Sequence, residues 1–584
     1  MEKLYSRMRN FKLPKREEIN LAFASFSKKE GIFFAGLLAI LVLSTLLILN
    51  NINQSMVVKV PLRGGTISEG ILGTPRFVNP VLAISSADQD LVALIYSGLM
   101  RKNSDGTLIP DLAEKFEVSE DNLTYTFTLK DKIYFHDDKP ITADDVIFTI
   151  EKAKDSIIKS PHKVDWDSVT AQKIDDRTVE FNLQQPLASF LENATLGIMP
   201  KSLWENSPIE LNEANTSPIG SGPFLIKSVA QESSGVINSY ELVSFKKFAL
   251  GEPHLKKINM HFYSNEEELV KALEKGDIEQ ISSITPSNAG LLKEKNYRVE
   301  SSVLPRIFGL FFNQNQNQLF TDKVVVKAID QAIDKDRIVR EVLSGYGVAI
   351  DNPIPPNMIA YQKLAGATEK ITREEILQNV QNNLAKDGWT KGPDGFLQKT
   401  TTDKNKKKST VTLQFSISTG NAPDLAQTAE IIKQDLTAIG MQVDIKTFEL
   451  GNLNQSVIRP RKYDALLFGQ IINNESDLFA FWHSSQRKDP GLNVAMYTNA
   501  KVDKILQEAF TIINEQERIK KYAQFEDEIR KDMPAVFLYS PNFIYVTTKN
   551  LMGFSIDHII SPADRFADVY NWYTETENVW KIFN

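Results

Sequence analysis

The stretch Val411–Phe448, VTLQFSISTGNAPDLAQTAEIIKQDLTAIGMQVDIKTF, predicts the fold class of this 584-residue chain. Apolar and polar residues alternate from Val411 to Ser418, as in a strand with one buried face. Asn421-Ala422-Pro423 then predicts a helix start, because Asn caps helices and proline fits their first turn. Apolar residues recur at helical spacing up to Gly440, and a second strand follows from Met441. Strand, helix and strand in this order predict a right-handed parallel crossover and an α/β sheet.

Three other segments extend this alternation of strands and helices. Tyr463–Gly469 has the composition of a buried strand, and Val118–Leu129 alternates as a strand after an Asp-Asn turn. Apolar residues of Phe320–Leu343 line one helical face. Outside the N-terminal region the chain is long enough for two or three domains. The sequence therefore predicts an α/β protein of more than one lobe.

Residues Gly31–Leu49 form a 19-residue run without a charge, which as a helix reaches about 30 Å, the thickness of a bilayer core. The 30 residues before it carry eight Lys or Arg against four Glu. By the positive-inside rule, residues 1–30 are a cytoplasmic leader and 31–50 a transmembrane anchor, which leaves the rest of the chain extracytoplasmic. The alternative is a cleaved signal peptide; the long leader and the lack of an A-x-A-like site argue against it.

Composition excludes several classes of function. The chain has no cysteine, so disulfides, thiolate metal sites, a Cys nucleophile and a lipid-modified Cys are excluded. Removing the leader, of net charge +4, from a total of −7 leaves −11 on the ectodomain, and no basic stripe remains for nucleic acid. The one basic run, at 404–408, lies between two strand-like segments and is predicted to be a solvated hairpin tip.

No catalytic signature is present: the chain lacks HExxH, G-x-S-x-G, a Walker loop and a G-x-G-x-x-G after a strand. His136-Asp137-Asp138 with Asp144 and Asp145 resembles a metal cluster in composition. Core packing around His136 and a helix start capped by Thr142 account for these residues better. His483-Ser484 places a hydroxyl beside an imidazole, but sequence neighbours seldom face one another. We therefore predict no catalytic residue, no metal and no cofactor.

A set of short phrases occurs in a fixed order along the chain. In sequence they are Val78-Asn79-Pro80, LVALIYSGL at 91–99, PDLAEKF at 110–116, LTYTFTL at 123–129, YFHDDKPITADDV at 134–146, GSGPF at 220–224, Gly276-Asp277-Ile278, Ala332-Ile333-Asp334-Lys335, FWHS at 481–484, NVAMY at 493–497, Asp532-Met533-Pro534 and Leu538-Tyr539. Together these phrases resemble the family 5 extracellular solute-binding proteins, the oligopeptide- and dipeptide-binding receptors of ABC importers. The resemblance extends from about Thr66 to the C-terminal end.

This resemblance implies a two-lobed periplasmic-binding-protein type II-like fold with an extra subdomain in lobe one. It implies a discontinuous first lobe, because in such proteins the chain leaves lobe one, builds lobe two and returns. On this sequence lobe one covers 60–305 and 536–584, with the inserted subdomain at about 85–200. Lobe two covers 306–535. The hinge crossings are expected near 300–310 and 530–545.

The resemblance also implies where a ligand binds. Family members hold an extended peptide between the lobes through its main chain, like an added strand. On this sequence one edge is expected at Ala83, Ile84, Ser85 and Ser86, and the other at Gly469, Gln470 and Ile471, which Ile472 follows.

An acidic residue that family members carry just after this second edge is missing here. Peptide receptors have there an Asp that pairs with the peptide's α-ammonium group, whereas this chain has Asn473 or Asn474 at that position. Either Glu475 or Asp477 substitutes for it, or the ligand lacks a free amine. Trp482, beside this loop, is expected either to line the cleft or to pack in the core.

The function implied is that of a membrane-anchored extracytoplasmic protein that binds peptides without chemistry and delivers them to an ABC permease and its ATPase. Two alternatives stay open at this point. One is an anchored hydrolase that uses paired carboxylates such as Asp144 with Asp145 or Glu475 with Asp477; such pairs need a separation of about 5–9 Å across a cleft. The other is a receptor whose ligand triggers signalling instead of import.

Overall fold

The computed structural model describes residues 15–358, 360–361, 372–402 and 408–583. The chain divides into two compact units. The first unit contains the residues up to Leu62 and those from Glu575 onward, and the second contains Arg63–Thr574. The chain therefore passes between the units twice, at 62–63 and at 574–575.

The strands of the described residues are numbered in chain order. They are β1 Val57–Pro61, β2 Gly64–Leu72, β3 Met100–Lys102, β4 Leu108–Pro110, β5 Ala113–Val118, β6 Thr124–Leu129, β7 Val169–Lys173, β8 Thr178–Leu183, β9 Phe224–Gln231, β10 Ile237–Ser244, β11 Leu255–Tyr263, β12 Gln280–Ser282, β13 Arg298–Val303, β14 Arg306–Phe312, β15 Gly347–Ala349, β16 Thr390–Lys391, β17 Leu397–Thr402, β18 Lys408–Thr412, β19 Gln414–Gly420, β20 Gln442–Phe448, β21 Ala465–Ile471, β22 Ala535–Thr547 and β23 Thr576–Trp580.

The α-helices are numbered in the same way. They are α1 Arg16–Ala24, α2 Lys28–Met56, α3 Ser86–Ile95, α4 Ala143–Lys154, α5 Lys163–Trp166, α6 Phe190–Asn193, α7 Lys201–Trp204, α8 Glu266–Lys275, α9 Pro286–Glu294, α10 Lys323–Ala332, α11 Lys335–Glu341, α12 Arg373–Lys386, α13 Pro423–Ala438, α14 Leu450–Leu453, α15 Asp477–Trp482, α16 Ala500–Thr511 and α17 Glu515–Asp532.

The first unit is built on α2, which contains the whole apolar run. This 29-residue helix begins at a capping box formed by Ser27 and Glu30 and has a mean hydropathy of 2.9 over its most apolar window. Among the described residues it alone is long and apolar enough to cross a membrane. β1 follows α2 without a linker and pairs antiparallel with β23, from Val57 opposite Trp580 to Pro61 opposite Thr576.

The second unit is organised around one long sheet with the strand order β20-β19-β21-β14-β22-β12-β2-β11-β10-β9. β13 and β15 also pair with β22. The first half of β22 pairs with β14 and the second half with β12 and β13. β22 is therefore the strand through which two groups of strands are joined.

The side chains of β22 enter two separate hydrophobic cores. Its first five residues, 535–539, pack with β14, β19, β21 and the helices on both faces of those strands. Residues 543–546 pack with β2, β11, β12 and their helices. Ser540, Pro541 and Asn542 belong to neither core. The second unit thus has two lobes of mixed α/β structure, and β22 passes from one to the other at Pro541.

The crossover at Val411–Phe448 is confirmed as a βαβ unit. β19 and β20 pair in parallel from Gln414 opposite Gln442 to Gly420 opposite Phe448, with α13 between them and Pro423 in its first turn. Two local details differ from the prediction. The N-cap is Ala422, without a side-chain hydrogen bond. The residues before Leu413 form a separate strand, β18, which pairs with β17, whereas β19 pairs with β20 and β21. Leu413, between the two strands, donates its N–H to Leu397 O at 2.8 Å.

The other predicted elements form with shifted limits. The strand expected at Tyr463–Gly469 is β21, and the helical segment Phe320–Leu343 is divided into α10 and α11. β17 and β18 pair antiparallel on either side of the basic run at 404–408, as flanking strands of a hairpin would. Residues 404–407 of that run lie outside the described residues, so its conformation stays a prediction.

The segment expected to be an inserted subdomain contains an antiparallel sheet with the order β5-β6-β8-β7. α4 begins there at Thr142, as predicted: the Asp145 carboxylate accepts the Thr142 N–H at 2.9 Å. The same carboxylate accepts the Lys201 N–H at 2.9 Å, so Asp145 is engaged structurally. Among the described residues no group of three or more His, Asp and Glu side chains is arranged to hold a metal ion.

The side chain of His136 connects two of the short phrases that carry the family resemblance, those at 134–146 and 220–224. Its Nδ1 accepts the Gly220 N–H at 3.3 Å, so its Nε2 carries the proton and donates to Gly222 O at 3.1 Å. Both glycines pack on the end of α3: a Cβ at Gly220 would lie 2.1 Å from Ile95 O. Burial lowers the pKa of His136 from its ordinary 6.5 to about 4, because the charged ring is poorly solvated there.

This arrangement predicts an acid-sensitive fold. Because the folded-state pKa of His136 lies below the unfolded value, its contribution is fully present above pH 6.5 and is lost as the pH falls toward 4. The loss should be about 2–3 kcal/mol of unfolding free energy, measured by urea denaturation between pH 7 and pH 4.

The variant H136Q retains a donor and an acceptor but cannot titrate, so it should lose less stability over this range than the wild type. H136A should be destabilised at every pH, because the Gly220 and Gly222 backbone groups lose their partner. Equal pH dependence of the wild type and H136Q would contradict this role of His136.

Candidate functional site

A cleft of about 560 Å³ opens between the two lobes of the second unit. Its volume falls in the usual range for small-ligand sites. The cleft is lined by Lys102, Asp105, Gly106, Thr107, Leu108, Glu192, Pro305, Pro356, Asn357, Met358, Asn473, Asn474, Glu475, Glu515, Arg518, His558 and Ile560.

One wall of the cleft comes from segments packed on the first lobe's core. The turn between β3 and β4 supplies residues 105–108, and its shape is set by Asp105, whose carboxylate accepts the Thr107 N–H at 2.9 Å and the Thr107 hydroxyl at 2.7 Å. His558 packs over Gly106, where a Cβ would lie 2.9 Å from the imidazole ring. Lys102 and Glu192 form an ion pair at 3.6 Å.

The opposite wall begins where β21 ends. The loop after Ile472 is held by Asp477, whose Oδ2 accepts the N–H groups of Asn473 at 2.8 Å and Asn474 at 3.4 Å. Burial raises the pKa of the Asp477 carboxyl, and these two hydrogen bonds oppose that rise. Asp477 therefore shapes the loop and does not line the cleft, in contrast to its predicted role as a charge partner.

Glu475 is the carboxylate that this loop presents to the cleft. Burial raises the pKa of Glu475 above its ordinary range, and the Arg518 guanidinium partly opposes the rise. Within the described residues no cation lies within ion-pair distance of the Glu475 carboxylate. Arg518 instead donates to the carbonyls of Ile512 and Ile513, each at 3.2 Å. The cleft thus holds a partly buried, unneutralised carboxylate.

The end of β21 has an open edge. On one side, residues 465–471 pair with β14 throughout. On the other side, pairing with β19 stops at Leu466. Ile472 donates its N–H to Pro305 O on the β14 side, so the backbone groups of Ile471 and Gly469, which alternate with it, point to the open edge. Position 469 leaves no room for a side chain, because a Cβ there would lie 2.8 Å from the Phe308 ring.

The other predicted site residues lie elsewhere. Ala83 is buried, Ile84 is 72% exposed, and neither belongs to a strand. Ser85 is the N-cap of α3, and its hydroxyl donates to Asp88 at 2.6 Å. Ser86 begins α3. None of the four belongs to a strand or lines this cleft, because α3 begins there, and ligand binding at 83–86 stays a prediction.

Trp482 packs in the second lobe's core. Its side chain is fully buried against the rings of Phe311, Tyr497, Phe525 and Phe537. Of the two expectations for this residue, core packing describes the structure and cleft lining does not. Gln470 of β21, which pairs with Ile307 of β14, is likewise buried.

Outside the loop that carries Glu475 and Asp477, the carboxylates and hydroxyls considered for hydrolysis have structural partners. Asp144 pairs with Lys173 at 2.6 Å, and Asp145 caps α4. The His483 Nδ1 lies 2.8 Å from Ser485 Oγ and accepts the Ser485 N–H, and its Nε2 lies 3.0 Å from Gln507. These groups order local turns within the described part of the chain, and none of them lines the cleft.

Sequence reasoning did not find the first lobe's wall. Lys102, Asp105, Glu192 and His558 are separated by up to several hundred residues, and only the fold brings them together. One local signal was available: Ser104-Asp105-Gly106 between apolar segments is typical of a hairpin turn, and such turns often carry binding residues.

A two-lobed α/β body with a charged cleft between its lobes is the architecture of proteins that close on a ligand by hinge motion. A profile of the family "Bacterial extracellular solute-binding proteins, family 5 Middle" matches residues 107–490 of this chain. The chain belongs to the family 5 extracellular solute-binding proteins. The resemblance seen in the ordered phrases and the two-lobed fold are both confirmed.

Individual relatives match more than four-fifths of this chain. The oligopeptide-binding protein AppA of Bacillus subtilis is 29% identical over 504 residues, which span 85% of this chain and 89% of AppA. The structure of B. subtilis AppA with a nonapeptide has a TM-score of 0.65 at 27% identity and covers 88% of this chain and 100% of AppA. NikZ of Campylobacter jejuni with Ni(L-His) has a TM-score of 0.66 at 25% identity and covers 87% and 99%. The unliganded open form of the murein tripeptide-binding protein MppA has a TM-score of 0.72 at 18% identity and covers 90% and 99%.

The open edge of β21 predicts an effect of removing one backbone donor. The variant I471P lacks the N–H that points to this edge but preserves the pairing with β14, so it should weaken peptide binding by about 1 kcal/mol or more. I471A, which removes the half-exposed side chain and retains the N–H, is the matched control. Calorimetric titration of the full chain in detergent with a defined peptide measures both; equal affinities of the two variants would contradict main-chain binding at this edge.

Proposed function

We propose that this chain binds peptides in the inter-lobe cleft and delivers them to an ABC permease driven by a separate ATPase. The open edge of β21 is the observation that carries the proposal, since an extended peptide can add to it as a strand regardless of its side chains. The B. subtilis relative, solved with a nonapeptide, supports this ligand class. The cleft also carries both acidic and basic groups, as a zwitterionic ligand requires.

The residues of the cleft and of the open edge of β21 that leads into the cleft-lining loop take different roles in this proposal. Gly469 and Ile471 bind the peptide main chain through their backbone groups. Glu475 takes the place of the Asp that other peptide receptors use for the α-ammonium group, because its carboxylate is partly buried without a cation. Asn473 and Asn474 line the cleft beside it, and Asp477 holds their loop in shape.

Ligand binding closes the lobes by bending at the two crossings, Val303–Arg306 and Ser540–Asn542. With the second crossing at Ser540–Asn542 and the first unit set apart, lobe one is 63–305 with 543–574 and lobe two is 306–539, in place of the expected 60–305 with 536–584 and 306–535. The protein performs no chemistry, and the ATPase supplies the energy for transport.

The apolar helix α2 anchors the protein in the cell membrane, with the second unit outside the cytoplasm. Its length, its hydropathy and the basic residues before it support an uncleaved single-pass anchor. The family membership supports an extracytoplasmic location for the second unit.

The role of Glu475 predicts a selective loss of affinity. E475Q should weaken binding of a peptide with a free N-terminal amine by about 2–5 kcal/mol, because a buried ammonium group loses its counter-charge. The N-acetylated form of the same peptide should bind wild type and E475Q alike. E515Q, which neutralises an exposed acid of the same cleft, is the matched control and should have little effect. Equal wild-type affinity for free and acetylated peptides would exclude amine recognition.

A binding role predicts an unaltered ligand and a closing motion. Mass spectrometry of the purified full chain should find co-purified peptides, and long incubation with a defined peptide should return it intact. The radius of gyration from solution scattering should fall when peptide is added, because the lobes close. Recovery of cleaved peptide would overturn the proposal in favour of a hydrolase, and absence of any bound peptide would exclude this ligand class.

A further inference from the structure

The pairing of β1 with β23 places a second apolar segment at the end of the membrane helix. β1 starts at Val57, directly after α2, and Trp580 is its partner across the strand pair. Because the strands are antiparallel, the residues after Trp580 continue past Val57 on the side where α2 ends. Lys581–Phe583 form a single helical turn there.

The length of α2 sets the depth of this segment. The seven residues from Asn50 to Met56 continue the helix about 10 Å beyond the apolar run. The headgroup layer on each side of a bilayer is about 5–8 Å deep. If α2 spans the membrane, Val57 and Trp580 lie at the outer limit of the headgroups, and one helical turn after Trp580 covers the remaining distance.

The side chains at this position suit a lipid interface. Trp580 is 50% exposed and Ile582 is 72% exposed, although both are large and apolar. Tryptophan is enriched at membrane interfaces, where its ring sits at headgroup level. Lys581 between them has a long apolar stem and a cationic end that reaches lipid phosphates. The other five tryptophans of the chain are buried, so Trp580 is the one whose ring is exposed to solvent.

We propose that Trp580, Lys581 and Ile582 enter the headgroup layer of the outer leaflet and form a second membrane contact beside α2. This inference rests on the proposed anchoring by α2. The β1–β23 pair then ties the segment to the end of the helix. The chain is held at the membrane by two points of one small unit instead of by a single helix.

The test uses the full chain reconstituted in vesicles of phosphatidylcholine and phosphatidylglycerol. Part of the lipid carries a nitroxide on its headgroup, which quenches tryptophan on contact. Because the other tryptophans are buried, quenching reports on Trp580. The wild type should lose fluorescence on nitroxide-labelled lipid, whereas W580F should not.

The outcomes separate this inference from the anchor on which it rests. Alkaline carbonate extraction of the same vesicles shows whether α2 is inserted: release of the wild type would reject the anchor and with it this contact. Retention without quenching of the wild type would reject the second contact alone. Equal quenching of the wild type and W580F would reject it too, because the signal would then come from the other tryptophans. K581E should reduce quenching on anionic vesicles, and an unchanged signal would overturn the role of Lys581.

Discussion

The second unit depends on one strand that belongs to two hydrophobic cores. The thirteen residues of β22 pair with β14 over their first half and with β12 and β13 over their second half. The cores hold both halves rigidly, so relative motion of the lobes is confined to the residues between them. Pro541 lies there; proline has no N–H to donate to the ladder, although its carbonyl accepts the Leu304 N–H at 2.9 Å. The hinge that we propose at Pro541 would bend a continuous strand without unpairing either half.

The loop after β21 carries two acidic residues with different roles, one in ordering the loop and one in facing the cleft, and a sequence pattern cannot tell which is which. Glu475 and Asp477 are two residues apart, and both are acids with pKa values raised by burial. Asp477 accepts two backbone N–H groups, so its charge is used within the protein. Glu475 accepts a backbone hydrogen bond only from its own residue and faces the cleft. The charge that orders the loop and the charge proposed for the ligand are thus on different residues, so a substitution at one tests a different property from a substitution at the other.

Sequence patterns predicted the parts of this protein that depend on local order. The βαβ unit of β19, α13 and β20, the capped start of α4 and the long helix α2 each follow from periodicity and capping over a few dozen residues. The family phrases predicted the two lobes. The first wall of the cleft escaped prediction because Lys102 and His558 meet only through the fold. Residues 83–86 form no strand because Ser85 caps α3, and Trp482 was ambiguous because an apolar ring near a cleft packs equally well behind it.

The position of β22 in the chain also has a consequence for biosynthesis. Both cores remain incomplete until residues 535–547 have been made and exported, after more than nine-tenths of the chain. Until then β12, β13 and β14 expose unpaired backbone groups and apolar faces, a state that favours aggregation and proteolysis. Neither lobe can therefore fold early as an independent domain. We expect a nascent chain stopped before Ala535 to be degraded or held by chaperones, so the cell would expose mainly receptors with both lobes complete.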